Sequence, residues 1–236
     1  MSQPEPTTPD PRARSDWRAI APALVAKERA DAAFAERHRA TRRLRADGVK
    51  AGPGAYAALP ALGWLELVGG SGTDLEAVRG CSGLEVLRVS HVRGLDDASA
   101  LASCTGLEVL QLYAQPKLEE LPSLGGNERL LRVELGMLRG LRSLAPVLDA
   151  PKLEELVLTR DVPVSDEDVD RMLAHPTLRA FLWVALDVPL HRSRPVLERT
   201  DAALERARSV HVDTWLAERH GQGGPRADDP PTPAEL

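Results

Sequence analysis

The sequence has few cysteines, little net charge and no long apolar run, and each absence argues against a class of protein. Cys81 and Cys104 are the only cysteines, which argues against a disulfide-framed secreted fold. Residues 1–14 are polar and rich in proline and lack the apolar core of a signal peptide, and no later run is long enough for a membrane span. The net charge of −5 is too small to favour a nucleic-acid surface. We therefore expect a cytoplasmic protein with no membrane contact and no preference for nucleic acid.

The sequence also lacks the common motifs of catalysis and metal binding. There is no GxSxG, no P-loop and no GxGxxG followed by a helix, and the run Gly69-Gly-Ser-Gly72 lacks the Lys-Ser/Thr of a phosphate loop. His211, Asp213 and His220 could in principle bind a metal, but no HExxH or paired CxxC accompanies them. We expect a non-catalytic protein without metal or cofactor.

What the sequence does contain is one pattern of apolar residues that recurs six times between Leu62 and Trp183. The leading leucines are 22, 23, 23, 23 and 25 residues apart. All eighteen template positions are apolar, so the pattern is far beyond chance in a chain that is 43% apolar. The six copies are Leu62-Gly-Trp-Leu65-Glu-Leu67, Leu84-Glu-Val-Leu87-Arg-Val89, Leu107-Glu-Val-Leu110-Gln-Leu112, Leu130-Leu-Arg-Val133-Glu-Leu135, Leu153-Glu-Glu-Leu156-Val-Leu158 and Leu178-Arg-Ala-Phe181-Leu-Trp183.

This LxxLxL pattern resembles a leucine-rich repeat over roughly residues 59–190. The resemblance implies an α/β solenoid with a parallel β-sheet on its concave face and short extended or 3₁₀ return segments. The alternation of apolar residues within each copy independently predicts a short strand with one buried face. A near-constant period then places equivalent residues on neighbouring strands.

The remaining segments give five regions in chain order. We expect a disordered N-terminus over 1–14, a helical cap over 15–47, the solenoid over 48–190, a C-terminal cap over 191–220 and a disordered tail over 221–236.

The predicted helical cap has its main helix from about Ala21 to Ala46, with Gly48 as its stop. Its outer face is rich in arginine between Arg29 and Arg45, and acidic residues interrupt the basic run. A solvated helix face is favoured, and a nucleic-acid contact remains the alternative.

Other local patterns predict the return segments and the end of the repeats. Ser165-Asp-Glu-Asp168 predicts an N-capped helix of two turns that ends at His175-Pro176. Beyond the repeats, we expect a helix from Val196 to Arg208, an edge strand at Val210–Val212, and Trp215 and Leu216 over the open end of the stack.

One column departs from the leucine-rich-repeat pattern. Many members of that family carry Asn or Cys at the ninth position, where the side chain forms a hydrogen-bonded ladder. No Asn stands there in this chain, so apolar packing or water must replace the ladder. The ninth positions hold Gly70, Val92, Gln115, Leu138, Asp161 and Leu186.

Cys81 and Cys104 stand in a second column, three residues before the leading leucines. Two buried structural thiols are favoured, because free cysteine is among the most buried residue types. A redox pair is the alternative, since neighbouring strands lie close enough for a disulfide.

The candidate binding surface consists of the residues that alternate with the core leucines on the concave face, where we expect them to be exposed to solvent. An apolar strip with mixed charge beside it is typical of a protein interface, and packing alone is the competing interpretation. We predict a peptide or protein partner, bound by an adaptor or inhibitor; an accessory subunit of an enzyme complex is the alternative. The sequence does not determine the oligomeric state. The predicted contact residues are Trp64, Glu66, Val86, Arg88, Val109, Gln111, Tyr113, Arg132, Glu134, Glu155, Val157 and Leu182.

Overall fold

The computed structural model describes residues 22–208 and 210–220 of the chain and shows an α/β architecture. Within these residues, nine strands form one parallel sheet in the order β1-β3-β5-β6-β7-β8-β9-β10-β11, and β2 and β4 form a small parallel pair. The strands are β1 Ala23–Ala26, β2 Arg29–Ala30, β3 Arg43–Asp47, β4 Lys50–Ala51, β5 Trp64–Val68, β6 Val86–Ser90, β7 Val109–Tyr113, β8 Arg132–Gly136, β9 Glu155–Thr159, β10 Ala180–Val184 and β11 Glu205–Arg206.

Helices and 3₁₀ turns connect the strands. The 3₁₀ turns span Glu76–Val78 and Ser99–Ser103, as predicted for return segments too short for a regular helix. The helices are α1 Ala32–Arg37, α2 Ala145–Leu148, α3 Asp166–Ala174, α4 Leu190–Asp201 and α5 Val212–Arg219.

The register of the sheet follows the sequence period. Leu87 pairs with Leu65 on one side and with Leu110 on the other, and the same register continues through Val133 to Leu156. The predicted alignment of the six strands is therefore confirmed. The spacing places the fourth residue of each copy in one column because adjacent parallel strands pair without a shift.

The leucines of the pattern form the core. Of the eighteen template positions, Leu67 alone is only partly buried, and the other seventeen are buried. The predicted inward-facing residues of the return segments are buried on the far side of the core: Leu95, Leu101, Leu118, Leu121, Leu124, Leu141, Leu144 and Leu148.

Helix α3 begins with the predicted cap. The Ser165 hydroxyl accepts a hydrogen bond from the Asp168 N–H at 3.1 Å, and the Asp168 carboxylate accepts one from the Ser165 N–H at 2.9 Å. The second carboxylate oxygen of Asp168 accepts the Leu144 N–H at 2.8 Å. This carboxylate thus joins the start of α3 to α2 of the preceding unit, and the helix ends before His175 as predicted.

A left-handed residue follows each of the strands β1, β3 and β5 to β9. These seven corner residues have φ between 50° and 62°, and each donates its N–H to the last carbonyl of the next strand at 2.7–3.1 Å. The regular corner therefore comes from backbone geometry, in a chain without the asparagine column. The corner residues are Lys27, Gly48, Gly69, His91, Ala114, Met137 and Arg160.

The predicted long N-terminal helix is wrong over the residues that the structure describes. Residues 22–47 form β1, β2, the six-residue helix α1 and β3. Leu44 lies in β3 and pairs with Leu65 of β5, and β1 pairs with β3 in turn. The helix-favouring Ala and Arg content is outweighed by strand pairing, and the arginines from Arg29 to Arg45 do not share one helix.

The C-terminal predictions also need correction. Helix α4 starts at Leu190 and ends at Asp201, earlier than predicted. The added edge strand is Glu205–Arg206, which pairs with Ala180 and Phe181, whereas Val212 begins helix α5. The predicted disordered segments, 1–14 and 221–236, lie outside the described residues, as does the start of the predicted cap.

Candidate functional site on the outer face of the sheet

The face of the sheet opposite the leucine core is the face that the sequence predicted to be concave, and it is called the outer face here. The outer face carries three columns of side chains. The strand register aligns them from β3 to β10. The first column is Arg43, Trp64, Val86, Val109, Arg132, Glu155 and Ala180, the second is Arg45, Glu66, Arg88, Gln111, Glu134, Val157 and Leu182, and the third is Asp47, Val68, Ser90, Tyr113, Gly136, Thr159 and Val184.

The structure brings all twelve predicted contact residues onto this face, but the expected exposure is wrong. Arg88 and Glu155 are partly exposed, and the other ten residues are buried. Trp64, Val86 and Val109, the apolar strip of the prediction, are each 0% exposed. Their role in binding a partner stays a prediction, whereas the cause of their burial is visible.

Helix α5 of the same chain covers the apolar strip. Val212, Trp215 and Leu216 are buried against Trp64, Val86 and Val109 in a second hydrophobic cluster, separate from the leucine core. The prediction that Trp215 and Leu216 close the end of the stack is therefore wrong. Burial of apolar side chains stabilises this contact by about 1.5–3 kcal/mol for each large side chain that leaves water.

One end of helix α5 is fixed by a buried ion pair. Both terminal nitrogens of Arg43 donate to the Asp213 carboxylate at 2.9 Å, and the guanidinium stacks over the Trp64 ring at 4.1 Å from its centroid. Burial by itself raises the pKa of Asp213, but the His211 hydrogen bond and the Arg43 charge outweigh it, so the pKa lies below its ordinary value. The carboxylate therefore stays ionised and holds the first turn of the helix.

The other end of helix α5 meets residues that precede β7 and β9. Arg219 donates two hydrogen bonds to the Glu154 carboxylate, at 2.7 and 2.8 Å. The His220 ring lies 3.1 Å from Glu108. Two cations lie over the Trp215 ring, Arg132 at 5.6 Å and Arg219 at 5.5 Å from its centroid. Ion pairs at both ends thus flank the apolar contact.

A polar network runs through the first two columns. Glu66 accepts hydrogen bonds from Trp64 Nε1 at 2.9 Å and from Arg88 at 3.2 Å. Gln111 accepts from Arg88 and donates to Glu134 at 2.8 Å. These contacts compensate the cost of burying charge on a face that is largely shielded from water.

The network ends at Arg132, which is 0% exposed. Its guanidinium donates to Glu134 at 2.7 Å, to Glu155, and to the Arg208 carbonyl at 3.1 Å. Arg208 belongs to the segment between β11 and α5, and the preceding Ala207 packs on Val157. The C-terminal segment therefore covers the last strands as well as the apolar strip.

Two glutamates, Glu134 and Glu155, lie beside Arg132 on the outer face. Glu134 and Glu155 are both bound to Arg132, so that the two carboxylates share one guanidinium charge. Within the part of the chain that the structure describes, no group of three or more His, Cys, Asp or Glu side chains could hold a metal. Of the weak candidates, Asp213 pairs with Arg43, and His220 meets Glu108.

Cys81 and Cys104 are both buried and form no disulfide with each other. Burial raises the pKa of the Cys81 thiol to about 12 and that of the Cys104 thiol to about 11. Cys104 donates weakly to the Val78 carbonyl at 3.4 Å. Both groups have the surroundings of structural thiols, because a thiolate would be poorly solvated there.

Sequence reasoning identified the covered surface but missed the residues that cover it. Val212, Trp215 and Leu216 have the i, i+3, i+4 spacing of one helix face, which can be read directly from the sequence. Their assignment to the end of the stack followed from their position after the last repeat. The sequence predicts an apolar strip on the sheet and an apolar face on a later helix, and neither has another predicted partner. Packing of one on the other could have been inferred from these two features.

Comparison with known proteins adds no relative: no family model matches the chain, and no curated protein sequence is significantly similar to it. Among the described residues, none of the helices combines the length and the apolar content needed to cross a bilayer.

Proposed function

We propose that the chain is a leucine-rich-repeat solenoid and that it extends beyond the six sequence copies. Support comes from strands that follow one another along the sheet in chain order, apart from the small β2–β4 pair. The unshifted register and the recurring left-handed corner give each unit the same backbone plan. On this proposal β1 and β3 are two further repeats, with Leu44 as a recognisable template leucine.

We further propose that the protein binds a protein partner and catalyses no reaction, and that the outer face receives a helix of that partner. One observation carries the proposal: the strip formed by Trp64, Val86 and Val109 already holds a helix from a distant part of the chain. Helix α5 contacts the face as a separate ligand would, with apolar anchors in the centre and charges around them.

Helix α5 is attached to the sheet in a way that permits exchange. Within the described residues, its backbone hydrogen bonds are internal, and its contacts with the sheet are made by side chains. The segment before it is joined to the sheet by two backbone hydrogen bonds. The Glu205 N–H donates to the carbonyl of Arg179, just before β10, and the Ala207 N–H donates to the carbonyl of Phe181 in β10. A partner helix with a carboxylate for Arg43 and two apolar anchors for the strip would compete for the same contacts.

The two alternative functions from the sequence analysis, an accessory subunit and a nucleic-acid contact, are supported to different degrees by the structure. An accessory role in an enzyme complex uses the same binding face and is a special case of this proposal. Nucleic-acid binding through an arginine-rich helix loses its geometric basis, because residues 22–47 form three strands and the six-residue helix α1 in place of that helix. The two free thiols accord with a reducing compartment such as the cytosol.

A labelled peptide tests the proposal directly. The full chain carrying Asp213→Ala and Trp215→Ala has a weakened α5, and it should bind a fluorescent peptide of residues 209–220 more tightly than the unmodified chain does. The matched control is the same peptide with both substitutions, which should bind neither protein. Fluorescence anisotropy measures binding, and circular dichroism verifies the fold.

If the Asp213→Ala, Trp215→Ala chain is folded but does not bind the unsubstituted peptide of residues 209–220, the proposal is wrong. Helix α5 is then a permanent part of the fold. Should that variant unfold, Arg219→Ala with His220→Ala releases only the second end of α5, and the same peptide comparison then decides.

A further inference from the structure

A groove lies along the corners that follow β6, β7 and β8, at the edge of the sheet remote from helix α5. Its volume is about 520 Å³. The floor is formed by apolar atoms of Val92, Ala114, Pro116 and Met137, and Met137 is 39% exposed although it is a large apolar residue. An exposed methionine in a concave site is typical of a surface that adapts to a partner.

Three cations line this groove, one from each of three consecutive units. Arg93, Lys117 and Arg139 are exposed, and within the described residues none of their side chains has an ion pair or hydrogen bond. This differs from most arginines of the described chain, such as Arg142 and Arg171, which meet a carboxylate. Three unpaired positive charges beside an apolar floor favour a ligand that is both acidic and apolar.

The acidic residues nearby are largely compensated. Asp161 and Asp187 also line the groove, but Arg192 lies 3.3 Å from Asp161 and Arg160 lies 3.8 Å from Asp187. In the adjoining hollow beside Lys117, Glu119 and Glu120 are both paired with Arg142, and Asp96 is the one carboxylate there without such a partner. Among the described residues around the groove, the three unpaired cations therefore outnumber the one unpaired carboxylate, Asp96.

We propose that this groove binds a short acidic segment of a partner protein, with one apolar side chain over Met137 and carboxylates on Arg93, Lys117 and Arg139. Three corners at the spacing of adjacent strands span about 10 Å, which matches about three residues of an extended peptide. The site is independent of the outer face, because none of its lining residues contacts helix α5.

The test uses defined peptides and the full-length chain at about 50 mM salt, where exposed charges are weakly screened. The probe is fluorescein-labelled Gly-Asp-Glu-Leu-Glu-Asp-Gly. Two comparison peptides replace its acids by Asn and Gln or its leucine by glycine. Both should bind more weakly, and binding of the probe should fall as salt is raised.

Charge reversal then places the site. Arg93→Glu, Lys117→Glu and Arg139→Glu together should weaken probe binding by about tenfold or more, since each exposed pair contributes modestly. The matched control reverses Arg39, Lys152 and Arg194, three exposed cations outside the groove that also lack an ion pair among the described residues. It should bind within about twofold of the unmodified chain.

Three outcomes would overturn the proposal: equal loss in both triple variants, undiminished binding of the glycine-substituted peptide, or displacement of the probe by a single-stranded oligonucleotide at equal charge. The first means a general charge effect, the second an anion site without an apolar anchor, and the third a nucleic-acid surface. None of these outcomes bears on the helix-binding face, which the peptide of residues 209–220 tests separately.

Discussion

Arg43 and Asp213 are 170 positions apart in the chain and form a two-pronged ion pair, both bonds 2.9 Å long, between the third strand and the last helix. The Asp213 side chain is 2% exposed and that of Arg43 is 10% exposed. Because both charges are withdrawn from water, each needs a close partner, and Glu66 at 3.8 Å from Arg43 and His211 at 3.2 Å from Asp213 add to the pair. Together with the apolar contact of Trp215 and Leu216, the pair holds the C-terminal segment over the outer face.

Removing the acid of this pair should destabilise the protein. Asp213→Ala leaves Arg43 largely buried without its bidentate partner, and the expected loss is about 3–5 kcal/mol of unfolding free energy. Urea titration at pH 7 measures it. The control is Glu218→Ala on the same helix, whose exposed pair with Arg208 should contribute less than about 1 kcal/mol. Equal effects of the two substitutions would contradict the importance of the buried pair.

The contribution of Asp213 should depend on pH in a defined direction. Its pKa in the folded protein lies below the ordinary value of 3.8. The ionised form thus stabilises the fold above 3.8, and this stabilisation is lost as the pH falls through the lowered pKa. The difference in unfolding free energy between the unmodified chain and Asp213→Ala should be constant near neutrality and shrink in acid. A difference that grows on acidification would reverse the assigned shift.

The strand register makes Leu110 a central core residue. It is 0% exposed, and Leu110→Ala should cost about 2–5 kcal/mol through the cavity it leaves. Leu186→Ala is the matched control, because Leu186 is 82% exposed and its loss should change stability by less than about 0.5 kcal/mol. Denaturant melts of both variants measure the two changes in unfolding free energy. If Leu110→Ala leaves the stability unchanged, the assignment of β7 to the core of the sheet is wrong.

The corner after β5 offers a test of the backbone plan. Gly69 has a φ of 62°, and a side chain there would meet no atom within 4 Å, so Gly69→Ala isolates the backbone cost. We expect a destabilisation of about 1 kcal/mol, because L-residues are disfavoured in left-handed geometry. Gly83→Ala is the control, since that glycine has the same open surroundings without the positive φ. Thermal or urea unfolding should separate the two variants.

The buried thiols should be unreactive in the folded protein. The pKa values of Cys81 and Cys104 are raised to about 12 and about 11 because burial penalises the thiolate. At pH 8 a disulfide-exchange reagent such as DTNB should label neither residue until denaturant is added, and then both. Rapid labelling of either thiol in the native state would revive the redox interpretation.

The sheet was predictable from sequence because its determinants are local. Each copy of the pattern alternates core and non-core residues over six positions, and the period of about 23 residues brings equivalent leucines together whatever the rest of the chain does. The capped helix α3 was predictable for the same reason, since Ser165 and Asp168 complete its start within three residues. The strands β1 and β3 were missed because their apolar pattern is reduced to Leu44, Ala46 and Val25 amid helix-favouring residues.

The sequence correctly predicted which side chains lie on the outer face, but it wrongly predicted that they are exposed. The sequence by itself determined that Trp64, Val86 and Val109 stand side by side, because parallel strands of constant spacing leave them no other arrangement. Only the tertiary structure decided that helix α5 lies over them. That contact joins segments far apart in the chain, and it depends on the summed burial of Trp215 and Leu216 together with the Arg43–Asp213 pair, which no local pattern contains.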